Sequence, residues 1–114
     1  MFDCLFCKIR DGHIPAKVLH RDELCLAFED INPEAPMHAL VVPLRHIPTL
    51  NDLALDDREM IGHMHWVAAK LARDRGHADS GYRTLINCNR DGGQRVFHVH
   101  MHVLAGRVLG WPPG

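Results

Sequence analysis

The sequence predicts an α+β domain: a five-stranded, mostly antiparallel sheet with one long helix packed on one face and a short N-terminal helix. Three observations carry that prediction. Short strand-like runs recur along the chain between turn signals. One stretch, from Asp56 to Gly76, has apolar residues at helical spacing. The connections are short, with no internal repeat and no low-complexity linker.

Residues 4–11 read as a short helical turn stopped by Gly12 and Pro15. Lys17–His20 and Glu23–Phe28 read as two strands joined by a turn at Arg21-Asp22. The run Asp30-Ile-Asn-Pro33 is a turn signature that ends the second strand. His38–Pro43 is mostly apolar, as expected of a strand buried on both faces, and Pro43 limits its end. The long helix has Asp56 as a candidate cap with Glu59 three residues on, close to a capping box. Its apolar positions are Met60, Ile61, Met64, Val67, Ala68 and Leu71, and Gly76 suits a left-handed stop. Two histidines on it, His63 and His65, are expected in solvent. Tyr82–Cys88 reads as a fourth strand and Phe97–Leu104 as a fifth, with the loop Asn89-Arg-Asp-Gly-Gly-Gln94 between them.

The chain has 114 residues, enough for one real core but not two. At 46% hydrophobic and 24% charged it can bury enough apolar surface to exclude disorder. A formal net charge of −1 gives no footprint for bulk binding to nucleic acid or anionic membrane. The opening MFDCLFCKIRDG carries Asp3 and no long apolar run, so it is not expected to be a signal peptide. No apolar stretch is long enough to span a bilayer. A cytoplasmic location is the default expectation, and there the four cysteines favour thiols or metal ligands over disulfides.

His98-Val-His-Met-His102 concentrates chemistry in one strand. Residues two apart point to one face, so His98, His100 and His102 form a row while Val99, Met101 and Val103 face the helix. A rise of roughly 3.3 Å per residue puts neighbours about 6–7 Å apart and the ends about 13 Å apart. The ends cannot easily hold one ion together, so a three-histidine zinc site is not expected. Histidines on the wet face of a strand would explain the alternation without any chemistry. The loop just before them argues for more. Gly92 and Gly93 permit a tight turn and offer N–H groups to an anion, and Arg90 and Arg95 add positive charge. A neutral imidazole beside an anion-accepting loop can attack phosphorus and form a covalent intermediate.

The run His98-Val-His-Met-His-Val-Leu104 resembles the alternating histidine motif of the histidine triad (HIT) family. So do Cys4-Leu-Phe-Cys-Lys-Ile9, Ile14-Pro-Ala16, Ala27-Phe28 with Asp30-Ile-Asn-Pro33, Leu40-Val-Val-Pro43 with His46, Gly81-Tyr-Arg83, Asn87, Asp91-Gly-Gly-Gln94 and Trp111-Pro-Pro-Gly114. The combination is similar to the Hint branch and covers residues 1–114 as a single domain. The resemblance implies an enzyme that cleaves purine nucleoside phosphoramidates or acyl-nucleotides through a nucleotidyl-histidine. A dinucleoside polyphosphate hydrolase is the alternative enzyme, and a nucleotide-sensing interaction module the non-enzyme one.

By the same resemblance His100 is the nucleophile, His102 contacts the phosphate with N–H groups near Gly93 to Arg95, and His98 orients its neighbour. Asp30 binds the ribose hydroxyls beside Phe28 and Ile31. Phe6 and Ile9 line the base pocket, and Asn87 and Gln94 complete the phosphate and ribose contacts. Read without the resemblance, Phe6, Ile9, Phe28 and Ile31 are plain core residues, and Asp30 forms a turn. The family also implies a homodimer with Trp111 reaching the partner's site. Arg95 departs from the pattern, which often has a small hydroxyl residue there.

Cys4 and Cys7 have metal-ligand spacing, and two free thiols in a packed turn are the alternative. Several bacterial relatives hold a structural zinc with such a pair, the histidine after the Val-Val-Pro strand and the first histidine of the row. Here those are Cys4, Cys7, His46 and His98. No cofactor is required for the chemistry.

Overall fold

The computed structural model describes residues 3–114; Met1 and Phe2, which open the segment read as no signal peptide, lie outside the described residues. Five strands form one sheet: β1 (Val18–Arg21), β2 (Cys25–Glu29), β3 (Met37–Pro43), β4 (Tyr82–Ile86) and β5 (Met101–Ala105). Their order is β1-β2-β3-β5-β4, and every neighbouring pair is antiparallel. Three helices accompany it: α1 (Leu5–Arg10), α2 (Arg58–Asp74) and α3 (Asn89–Gly92). The predicted fold class holds.

The apolar run in β3 is buried along its whole length because the sheet has a core on each side. On one side Ala39 and Val41 join Val99, Met101 and Val103 against Met60, Met64, Val67 and Leu71 of α2. On the other, Leu40 and Val42 pack with Leu26, Phe28 and Phe6, Cys4 and Cys7 of the N-terminal segment. Strand alternation therefore sends one set of side chains to the long helix and the other to α1.

Boundaries differ where local hydrogen bonds compete with the sheet. The helix is not capped by Asp56. A turn at Leu55–Asp57 absorbs that residue, and Asp57 takes the position before α2. The buried Asp57 carboxylate accepts the Ala54 N–H at 2.7 Å and pairs with Arg45. Strand β2 starts at Cys25 rather than Glu23, because Asp22 Oδ1 takes the N–H groups of Leu24 and Cys25 at 2.8 and 2.9 Å. Strand β4 stops at Ile86, short of Cys88. The fifth strand starts at Met101, four residues later than Phe97, since the Val99 N–H donates at 2.7 Å to Ile47 O outside the ladder. Of the two helix histidines, His65 is exposed as expected, but His63 bonds Asp22 at 2.6 Å.

Candidate active site

The histidine row lies on the α1 side of the sheet, opposite α2. His98 is fully buried, His100 is 7% exposed and His102 is half-buried. The rings of His100 and His102 stand 5.0 Å apart, and the edge of Phe6 from α1 meets His100 at 5.0 Å. The N-terminal helix thus packs directly on the row.

Each imidazole is given a tautomer by the kind of group it meets. His100 Nδ1 donates to the His98 carbonyl at 2.8 Å, so its Nε2 carries a free lone pair. His98 Nε2 donates to the Pro43 carbonyl at 2.8 Å, leaving its Nδ1 bare. His38 Nδ1 accepts the Glu34 N–H at 3.0 Å, so His38 Nε2 donates to His102 Nδ1 at 2.9 Å. The His102 proton is then on Nε2, where it is a donor. Asp30 Oδ2 stands 3.4 Å from His38 Nε2 and closes this relay.

Burial keeps the row neutral. It pushes His98 and His102 down to about 4 and lowers His100 as well, because a charged imidazole loses hydration there. A neutral His100 with Nε2 unprotonated is the nucleophilic form at pH 7.

One cleft is lined by Phe6, Ile9, Phe28, Asp30, Ile31, Asn87, Gly93, Arg95, His100 and His102. These ten come from α1, β2 and the turn after it, the segments flanking α3, and β5 with the residue just before it. Apolar and polar groups meet within the cleft, as Phe6 does with His100. Asp30 also forms the turn expected of it, accepting the Asn32 N–H at 2.8 Å. Gly93 has φ of 82°, and this left-handed residue ends α3 and turns the chain back toward the row.

Three of the expected site residues do not line this cleft. Gln94 is buried behind the loop: its amide donates to Pro48 O and Val96 O at 2.7 and 3.1 Å, and its oxygen accepts the Asn89 N–H at 2.9 Å. It braces the loop from behind without lining the cleft. Trp111, expected at a partner's site, is 82% exposed and lies off the cleft of its own chain. The His98 side chain also points away, and its orienting contact with His100 runs through the main chain. Conversely, His38 lines the cleft although it lies outside the histidine motif. Its signal was parity with Leu40 and Val42 on β3, which places it on the row's face. Glu29, beside Asp30, pairs with Arg75 at 3.1 Å and Lys17 at 3.7 Å, so its charge is met at the rim.

Beneath the row is a second constellation. The ligand atoms of Cys4, Cys7, His46 and His98 all lie within 4.8 Å of one another. His98 Nδ1 is 3.4 Å from Cys4 Sγ, 3.6 Å from Cys7 Sγ and 3.2 Å from His46 Nδ1. Cys7 Sγ is 3.4 Å from His46 Nδ1. Tetrahedral zinc with bonds of about 2.0–2.3 Å puts its ligands roughly 3.3–3.8 Å apart, so the donor set and spacing fit that ion. The Pro43 carbonyl on His98 Nε2 fixes the ring as an outer partner does around a metal. Burial and the neighbouring Cys4 push the Cys7 thiol up to about 11, a cost that metal ligation would relieve.

This combination of a compact α+β sheet, a buried alternating histidine row and a cleft ending in a glycine loop belongs to the HIT class. The HIT domain model matches residues 11–109, and the chain belongs to that family. It is 46% identical over 108 residues to the purine nucleoside phosphoramidase of Escherichia coli K12, spanning 95% of this chain and 91% of that one. The crystal structure of a HIT family hydrolase from Legionella pneumophila superposes with a TM-score of 0.96 at 49% identity, covering 98% of this chain and 100% of that one. A histidine triad protein from Clostridium difficile gives 0.92 at 44% identity, covering 96% of each. The family expectation from the motifs is borne out.

Proposed function

We propose that this chain is a hydrolase of purine nucleoside phosphoramidates, or of related acyl-nucleotides, working through a nucleotidyl-His100 intermediate. The observation that carries the reading is the fixed tautomer of His100 in the cleft: Nδ1–H on the His98 carbonyl, Nε2 bare, and burial holding the ring neutral. The likeness to a purine nucleoside phosphoramidase supports the substrate class.

In the first step His100 Nε2 forms a bond to phosphorus and the P–N bond breaks. The departing amine takes its proton from solvent, and the water that attacks in the second step returns one; with an acyl-nucleotide the bond broken is P–O and a carboxylate leaves without a proton. His102 donates Nε2–H to a phosphoryl oxygen, with N–H groups near Gly93 to Arg95 beside it. In the second step water attacks phosphorus, the N–P bond to His100 breaks, and the nucleoside monophosphate departs. Asp30 receives the ribose hydroxyls. Phe6, Ile9, Phe28 and Ile31 hold the base, and Asn87 with the Gln94-braced loop completes the phosphate end.

Zinc held by Cys4, Cys7, His46 and His98 would pin α1 to the sheet with no open coordination position, a structural role apart from the chemistry. Metal content after purification without chelator tests this, and Cys4→Ser should lose that ion. Residues 1–114 act as one HIT domain in a cytoplasmic homodimer. Support for the dimer is the free edge of β4, where Arg83 also fastens the tail through the Gly110 carbonyl at 2.8 Å. Trp111 is thereby offered to a partner's site. For location, the support is that no helix among the described residues is long and apolar enough to cross a membrane.

The test compares wild type with His100→Ala on adenosine phosphoramidate and on diadenosine polyphosphate, following AMP release. Phosphoramidate turnover should fall at least about 10³-fold in the variant. Full activity in His100→Ala would remove the nucleophile assignment. Turnover of the polyphosphate alone would move the chain to the other hydrolase class.

A further inference from the structure

On the opposite face of the sheet from the cleft, four side chains converge that the proposed reaction does not use. His20 lies on β1, Asp22 in the β1–β2 turn, Cys25 at the start of β2 and His63 on α2. Their ligand atoms all lie within 4.8 Å of one another. We propose that His20, Asp22, Cys25 and His63 form a second metal site, for zinc or a zinc-like divalent ion, that ties the long helix to the sheet edge.

The geometry is specific. Asp22 divides its two oxygens between two tasks. Oδ1 holds the turn through the Leu24 and Cys25 N–H groups. Oδ2 is turned toward the cluster, 2.6 Å from His20 Nε2, 2.6 Å from His63 Nε2 and 4.0 Å from Cys25 Sγ. A carboxylate oxygen anchored from behind by main-chain amides is how one-oxygen metal ligands are held. The His63 ring is held in turn by stacking on Trp66, with centroids 5.8 Å apart and planes 15° apart. Cys25 forms the closed floor at 0% exposure. The side chains of His20, Asp22 and His63 are 19%, 18% and 27% exposed, which gives an ion its way in.

The chemistry also balances. Two imidazoles, one carboxylate and one thiolate are a borderline donor set that suits zinc. With Asp22 and Cys25 both anionic, the two charges of the ion are cancelled inside the site. The bonds formed are two M–N, one M–O and one M–S. Cys25 gives up its thiol proton to solvent, and each imidazole moves its proton from Nε2 to Nδ1. Zn–N and Zn–O lengths of about 2.0–2.2 Å put neighbouring ligands roughly 3.3 Å apart, so the two rings retreat from Asp22 by less than about 1 Å. Both are exposed enough to do so. The site is independent of Cys4 and Cys7, which lie on the α1 side.

The test counts zinc per chain in the whole protein, loaded with zinc and freed of loose metal. His20→Gln and His63→Gln should each carry one zinc fewer than the unsubstituted protein, whatever the occupancy of the Cys4/Cys7 cluster. Phosphoramidate turnover should be unchanged. A second measurement needs no substitution: zinc is titrated while the imidazole nitrogens are followed by ¹⁵N NMR. The Nε2 signals of His20 and His63 should move to metal-bound positions as zinc is added. Equal zinc content in all three proteins, or Nε2 signals that stay in place at saturating zinc, overturns the proposal.

Discussion

At the scale of single residues, the site is an arrangement of protons. Carbonyl and amide partners decide which nitrogen of each imidazole is protonated, and only then does a row of like residues acquire different roles. His38 matters most among the residues outside the motif, because its Nε2–H bond sets the tautomer of His102. Removing it frees His102 to take either tautomer, so its Nε2–H is no longer fixed as a donor. His38→Ala should therefore lower kcat/KM roughly 10- to 150-fold, as the loss of a hydrogen bond to a charged group worth about 1.5–3 kcal/mol would, while leaving the fold intact, measured by steady-state AMP release. Burial lowers His100 from its ordinary value, so the acidic limb of kcat/KM should lie below pH 6.5. A limb at or above 6.5 in the pH profile would contradict a desolvated His100.

At the scale of elements, the sheet delivers the row and the helices seal it. The β3–β5 ladder ends at Val41 opposite Met101. Beyond that point the Val99 N–H donates to Ile47 O instead of a strand partner, and the His98 side chain donates through Nε2 to Pro43 O. That departure splits the row: His102 stays in the sheet, whereas His98 turns down to the cysteines. Helix α2 supplies the opposite core through residues such as Met64, which is 0% exposed between sheet and helix. Met64→Ala should cost about 2–5 kcal/mol in chemical denaturation, since the rigid sheet collapses only partly onto the cavity. Because α2 lies on the far face from the cleft, activity at temperatures where the variant is folded should persist.

For the whole molecule, the neutral histidines have a consequence for pH. His98 and His102 are held at about 4, below the ordinary imidazole value of 6.5. Between those values the unfolded chain binds more protons than the folded one, so stability rises with pH there and falls on acidification. The midpoint of thermal unfolding should therefore drop as pH falls from 6.5 toward 4, and be nearly flat above 7. Asp22 works in a lower window. Although burial opposes it, hydrogen bonds from His63, His20 and the Cys25 and Leu24 amides hold its carboxyl well below the usual range. Its contribution is full above the ordinary carboxylate value and is lost only in stronger acid. Differential scanning calorimetry across pH 3–8 would show the histidine phase, and a midpoint independent of pH between 4 and 6.5 would contradict the buried neutral row.

The amino-acid sequence alone determined the α+β class, the long helix and the alternating histidine motif, because two periodicities and a run of local spacing are written directly in residue order. It also brought Cys4 and Cys7 together, since they are three apart. Strand boundaries were less legible: Asp22, Asp57 and Val99 use hydrogen bonds whose partners are set by turns and by distant carbonyls. Only the tertiary structure decided which partner each imidazole meets. His98 is joined to Cys4 across 94 positions, His38 to His102 across 64 and His63 to Asp22 across 41. Such contacts leave no periodic trace, and the tautomers and burial that give an imidazole its chemistry exist only once the chain has closed around it.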